Sequence, residues 1–146
     1  MGCIIIMQGR LYVKRVLIVD DEPSILLSLS HLMNTDGVVV LTSSKIEDAE
    51  EALDRYKFDL VIADIRLSGI DGIEGLELLA YIKEKSPETN VIIMTAYGTN
   101  ETREMAYARG AFYYYEKPID IGDLLKRARE CGIPVKPEGG RENVYT

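Results

Sequence analysis

The chain has 146 residues, of which 47% are hydrophobic and 28% charged, proportions that fit a folded globular domain and exclude disorder as the default. That length accommodates one domain with a sizeable core and is short for two. Twenty-four acids against seventeen Lys and Arg give a net charge of −7 and a pI near 4.8, which argues against gripping nucleic acid or anionic lipid by bulk electrostatics.

In chain order, the opening "MGCIIIMQGR" carries an apolar patch with no preceding basic residues and no small-residue cleavage site, so it is not read as a secretory signal. Ile6 stands where a myristoylation motif needs Ser or Thr. Residues 1–13 are read as an extension or an extra strand. Beyond them, short apolar runs recur at Val16–Val19, Val38–Leu41, Leu60–Ala63, Val91–Met94 and Phe112–Tyr115. Continuous β-branched or aromatic runs of this length predict strands buried on both faces, as in a parallel sheet.

Helical stripes lie between these runs. Ile25, Leu29, Leu32 and Met33 predict a first helix, with Pro23 in its first turn. Ile46, Ala49, Leu53 and Tyr56 predict a second, and Leu76, Leu79, Ala80 and Ile82 a third, stopped by "SPETN". Thr102, Met105, Ala106 and Arg109 predict a weaker fourth, closed by Gly110. Ile121, Leu124, Leu125, Ala128 and Cys131 predict a fifth. This (βα)5 alternation implies a doubly wound α/β sheet. The domain is expected over 14–131, followed by a Pro-, Gly- and charge-rich tail or linker over 132–146. Cys3 and Cys131 are too few for a disulfide framework and fit a reducing cytosol; Cys131 continues an apolar stripe as a small core residue. No apolar run approaches the roughly 18 residues of a membrane span.

The polar residues that end these strands carry the chemistry. In an open parallel sheet, ligands sit outside the carboxyl ends of the strands, at the switch in strand order. Asp20 and Asp21 follow the first run in "RVLIVDDEP", Asp64 the third in "LVIADIRLSGIDG", Thr95 the fourth in "VIIMTAYG" and Lys117 the fifth in "YYYEKPID". Adjacent carboxylates raise one another's pKa and cost stability unless a cation lies between them. Three carboxylates, a hydroxyl and an ammonium on one rim make a hard-oxygen cation site with a phosphate partner. Mg²⁺ suits such ligands and bridges to phosphate oxygens. A carboxylate can also be the nucleophile toward a phosphoryl group, forming an acyl phosphate that needs positioning and charge neutralisation.

The ordered set "VDD", "ADIR…DG", "TA" and "KP", each ending a strand, resembles the receiver domain of two-component response regulators over roughly residues 14–131. The phrases "MTAYG" and "KPID" look most like the receivers of NtrC-like activators that work with an alternative sigma factor. The resemblance implies a flavodoxin-like sheet of strand order 2-1-3-4-5 and a phosphorelay function. It implies that Asp64 accepts the phosphoryl group from a sensor histidine kinase, and that Asp21, Asp64 and the carbonyl of Arg66 hold Mg²⁺, with Asp20 assisting through water. It implies that Thr95 moves to the phosphoryl group, that Tyr114 swings inward with it, and that Lys117 pairs with a phosphoryl oxygen across a cis bond to Pro118. The fourth helix, fifth strand and fifth helix would then switch as a face for dimerisation or partner binding. The expected protein is cytoplasmic, binds neither nucleic acid nor membrane through this chain, and catalyses only its own phosphorylation and dephosphorylation. The family often has proline four residues after the acceptor, where this chain has Ser68, and the resemblance implies that Arg66 and Tyr97 fall at variable positions facing the acceptor.

Other readings stand beside this one. The acids at 20–22 could cap the first helix, with Glu22 doing little else. Asp71 and Gly72 read as turn formers, and His31 as a surface residue. Alternation along the strand lets Tyr113 and Tyr115 face opposite Tyr114. A haloacid-dehalogenase-type phosphohydrolase using an aspartyl phosphate would place D-x-D after the first strand, where this chain has adjacent acids. An FMN-binding flavodoxin would need a glycine- and hydroxyl-rich loop where this chain has "DDEPS".

Overall fold

A computed structural model describes residues 5–7, 10–65 and 74–137. Its main sheet has five parallel strands: β3 (Lys14–Val19), β4 (Val38–Ser43), β5 (Leu60–Asp64), β6 (Asn90–Thr95) and β7 (Tyr113–Glu116). They lie in the order β4-β3-β5-β6-β7, which is 2-1-3-4-5 when these five are counted alone. Before them, β1 (Ile5–Met7) and β2 (Arg10–Tyr12) pair antiparallel as a separate two-stranded ribbon. The extension therefore forms two strands, neither joined to the main sheet. Among the described residues, four helices connect these strands, α1 (Pro23–Met33), α2 (Ile46–Arg55), α3 (Glu74–Lys85) and α4 (Asn100–Ala108), and α5 (Ile121–Glu130) follows β7.

Strand alternation splits the core in two. Leu17, Val19, Val61, Ala63, Val91, Ile93 and Tyr114 pack on one face beneath α2, α3 and α4. Val16, Ile18, Leu60, Ile62, Ile92, Met94 and Tyr115 pack on the other beneath α1 and α5. The helices change sides where the strand order reverses, between β3 and β5. That reversal leaves a crevice at the carboxyl ends of those two strands. Capping fixes the helix starts on the same rim: Thr99 and Thr102 form a reciprocal capping box on α4, and the Asp120 carboxylate accepts from Asp123 N–H at the start of α5. Gly110, with φ +100°, closes the α4 end in the left-handed region.

Four details differ from the sequence reading, each for a tertiary reason. The β4 run is not buried on both faces: β4 is an edge strand with one neighbour, and Val39 is exposed. Tyr56 lies outside α2 in extended backbone, where its ring meets Phe58 edge-on and the Arg15 guanidinium sits 5.3 Å from its centroid. In α3 the buried residues are Gly75, Leu76, Leu78, Leu79 and Ile82, while Ala80 faces solvent. Packing also continues past Cys131. Ile133 and Val135 are buried in the second core, Ile133 N–H donates to the Ala128 carbonyl, and the Thr35 hydroxyl donates to the Pro134 carbonyl at 3.2 Å.

Candidate functional site

Each predicted polar residue leaves the sheet where a strand ends. Asp20 follows β3 and is fully buried, with its N–H donating to Ser43 at the end of β4. Asp64 is the last residue of β5 and is also buried; Ile65, just after it, is tied by its N–H to the Met94 carbonyl of β6. Thr95 ends β6, and Lys117 directly follows β7 and donates its N–H to the Thr95 carbonyl at 2.8 Å. Ladder register thus fixes how far each side chain protrudes over the rim.

The Lys117 ammonium is the hub. Its Nζ lies 2.9 Å from Asp20 Oδ2, 3.0 Å from Asp64 Oδ2 and 3.1 Å from Glu22 Oε1. Burial alone would pull its pKa down, but the hydrogen bonds from Lys117 to Asp20 and Asp64 outweigh that and hold it above the ordinary lysine value. The site thus keeps a permanent cation between carboxylates that would otherwise repel. Glu22 is the residue the sequence reading underrated. It occupies the N-cap position of α1 in extended backbone and makes no side-chain cap, so its carboxylate turns to Lys117 instead. Asp20 shapes the entry to the helix, its Oδ1 accepting from Glu22 N–H at 2.8 Å in an Asx-type turn. Adjacency to the acidic pair was the only signal in the sequence, and it does not say which way a side chain turns.

Asp20, Asp21 and Asp64 each offer a carboxylate oxygen, and these three atoms lie within 4.8 Å of one another, with Asp21 the exposed member. Ligands on opposite sides of Mg²⁺ stand about 4.2 Å apart, twice its ligand distance. The set is therefore of the right size to converge on such an ion, and its all-oxygen donors suit a hard divalent cation. Arg66, Ser68, Asp71 and Gly72 lie outside the described residues, so the predicted carbonyl ligand and loop are not part of this geometry.

Thr95 is fully buried, and its hydroxyl accepts from Tyr97 N–H at 3.1 Å; Tyr97 itself is exposed. Tyr114 points inward into the first core, as alternation predicts, with its hydroxyl 3.1 Å from Thr102 Oγ1 in the α4 cap. It lies directly over Gly98, where an added Cβ would overlap its hydroxyl oxygen. Tyr113 and Tyr115 face the opposite core, and the Lys117–Pro118 bond is cis. His31 is exposed, and no helix among the described residues is long and apolar enough to cross a membrane.

A flavodoxin-like sheet whose switch point holds clustered carboxylates around one ammonium defines a class of phosphate-handling α/β domains. The chain belongs to the response regulator receiver domain family, whose profile matches residues 16–129. It is similar to response regulator protein PilR of Pseudomonas aeruginosa, 39% identical over 111 residues that cover 76% of this chain and 24% of that protein. It is 32% identical over 123 residues to sporulation initiation phosphotransferase F of Bacillus subtilis, covering 84% of this chain and 96% of that one. The solved dimer of the beryllofluoride-activated NtrC4 receiver domain matches with a TM-score of 0.72 and 31% identity, over 82% of this chain and 96% of that chain. The NtrC-like resemblance is borne out by the NtrC4 match and by NtrC relatives. The chain spans less than a third of the length of PilR and of those NtrC relatives. Family and relatives alike favour phosphorelay signalling over the phosphohydrolase reading.

Proposed function

We propose that this chain is a phosphorylation-controlled switch whose acceptor is Asp64 and whose phosphoryl donor is a phosphohistidine of a sensor histidine kinase. In the transfer, a carboxylate oxygen of Asp64 forms a bond to phosphorus as the P–N bond to the donor imidazole breaks. The electron pair goes to the imidazole nitrogen, which takes up a proton, and Asp64 becomes an acyl phosphate. A bound Mg²⁺, held by Asp20, Asp21, Asp64 and the Arg66 carbonyl, would neutralise charge on the phosphoryl oxygens. Lys117 contributes the fixed positive charge already seated against Asp64, and Thr95 contributes a buried hydroxyl one residue beyond the register partner of Asp64.

The acyl phosphate adds about −1.5 to −2 charge, by analogy with other phosphorylated side chains. That charge competes with Asp20 and Glu22 for Lys117 and draws on Thr95, biasing the α4, β7 and α5 face through Tyr114. Glu101, Arg103, Glu104, Lys126 and Glu130 are exposed on these helices and suit a mixed-charge contact with a second copy or an output partner. Arg109 and Arg127 are engaged within the fold, by the Leu76 carbonyl and by Glu130 and the Tyr113 ring respectively. The chain would act in the cytoplasm as the receiver of a longer regulator or as a stand-alone relay. Residues 1–13 would serve as an extension, the tail as a link, and no turnover would occur beyond its own phosphorylation and dephosphorylation.

The observation that carries this reading is the Lys117 ammonium bridging the buried carboxylates of Asp20 and Asp64. Mass spectrometry after acetyl phosphate treatment, with and without Mg²⁺ and coupled to size measurement, tests it. One Mg²⁺-dependent phosphoryl group, absent from Asp64→Asn, is expected. Labelling of Asp64→Asn would remove the acceptor assignment.

A further inference from the structure

The first turn of α3 sits against the end of β5 more closely than any side chain would permit. Gly75 is buried there, and its N–H donates to the Ile65 carbonyl at 2.9 Å. A Cβ built on Gly75 would stand 2.5 Å from Ile65 Cα and 2.9 Å from the carbonyl carbon of Asp64, and would overlap the Asp64 carbonyl oxygen. All three are backbone atoms, so no rotamer change can make room. Retreat of the helix is also costly, because Leu76, Leu78 and Leu79 on the same turn are buried in the first core. A side chain at position 75 therefore presses on the backbone of Asp64 itself.

We infer that Gly75 is a positioning residue for the phosphoryl chemistry. Its missing side chain lets α3 seat on the Asp64–Ile65 backbone and so fixes the Asp64 carboxylate against Asp20, Asp21 and Lys117. The inference rests on Asp64 being the acceptor. The role is geometric: Gly75 touches neither metal nor phosphoryl group, but it sets where the end of β5 stops. Asp64 must hold Lys117 at 3.0 Å and offer an oxygen within 4.8 Å of those of Asp20 and Asp21. A shift of an ångström at its backbone spoils both arrangements together.

The test compares Gly75→Ala, Leu76→Ala and Asp64→Asn in the full chain. Mg²⁺ affinity is read by calorimetry, acetyl phosphate labelling by mass spectrometry, and the thermal midpoint by circular dichroism. Gly75→Ala is expected to weaken Mg²⁺ binding and to slow labelling by roughly 10-fold to 100-fold, the scale of an approximately 1 Å misplacement. Leu76→Ala, which opens a cavity in the first core on the same turn but leaves the glycine at position 75 in place, is expected to lower the midpoint while keeping wild-type affinity and labelling. Wild-type labelling and Mg²⁺ affinity in Gly75→Ala would overturn the inference, as would equal losses in Leu76→Ala. Labelling of Asp64→Asn defeats the acceptor assignment instead, so the two failures are distinguishable. Should Gly75→Ala not fold, hydrogen exchange at the Gly75 amide of the wild type decides. Slower exchange on adding Mg²⁺ is expected, and an unchanged rate overturns the inference.

Discussion

In metal-free buffer, Asp64→Asn is expected to make the protein more stable. The Asp64 carboxylate gains from Lys117 at 3.0 Å, which at an effective dielectric constant of about 20 is roughly 5–6 kcal/mol. It loses to Asp20 and Asp21, each with an oxygen within 4.8 Å, by at least about 3.5 kcal/mol apiece on the same scale. Repulsion exceeds attraction by about 1–2 kcal/mol, and burial of the charge adds further cost. Asparagine keeps an oxygen that accepts from Lys117, so the substitution removes the charge while retaining that hydrogen bond. The expected gain of about 1–2 kcal/mol corresponds to a rise of roughly 4–8 °C in the thermal midpoint. Melting curves in EDTA and in Mg²⁺ check it. Added Mg²⁺ should narrow or reverse the gap, because the wild type offers the ion one more carboxylate. A variant that melts at or below the wild type in EDTA would refute the electrostatic argument.

Two further outcomes follow from the packing. Ile133→Ala should cost about 2–4 kcal/mol, because Ile133 is buried in the second core although it lies beyond the last helix; denaturant melts that match the wild type would show that residues past Cys131 are not part of the folded unit. Burial pushes the Cys131 thiol up to about 11, from an ordinary value of 9.0. In a Cys3→Ser background, its alkylation rate should climb toward pH 11 and stay low near pH 9. Stability should fall between these values, because the unfolded thiol has lost its proton there while the folded one retains it. An alkylation midpoint near 9 would contradict this.

Much of the molecule was legible in its residues. The five apolar runs became the five strands of the main sheet, because a segment buried on both sides must be apolar throughout. The same economy misled at β4, whose run is equally apolar yet lies at the sheet edge, since strand order is not written in any one strand. Helical periodicity found every helix but misjudged single positions. Tyr56 left its helix to pack on Phe58 and Arg15, and Ala80 faced solvent while Leu78 was buried. The tail read as a linker from its Pro and Gly content, yet Ile133 and Val135 found a vacancy beside α5 that no local pattern signals.

What the sequence determined by itself was the inventory and its placement at strand ends: Asp20 and Asp21, Asp64, Thr95 and Lys117, each directly after or at the close of an apolar run. Distances and pairings were decided only by the fold. The turn of Glu22 toward Lys117, the sharing of that ammonium by Asp20 and Asp64, and the seating of Gly75 on the Asp64 backbone all depend on how strands and helices pack. The reason is physical: periodicity reports which face of an element is dry, whereas a contact between residues 53 or 97 positions apart exists only once the sheet has set its register.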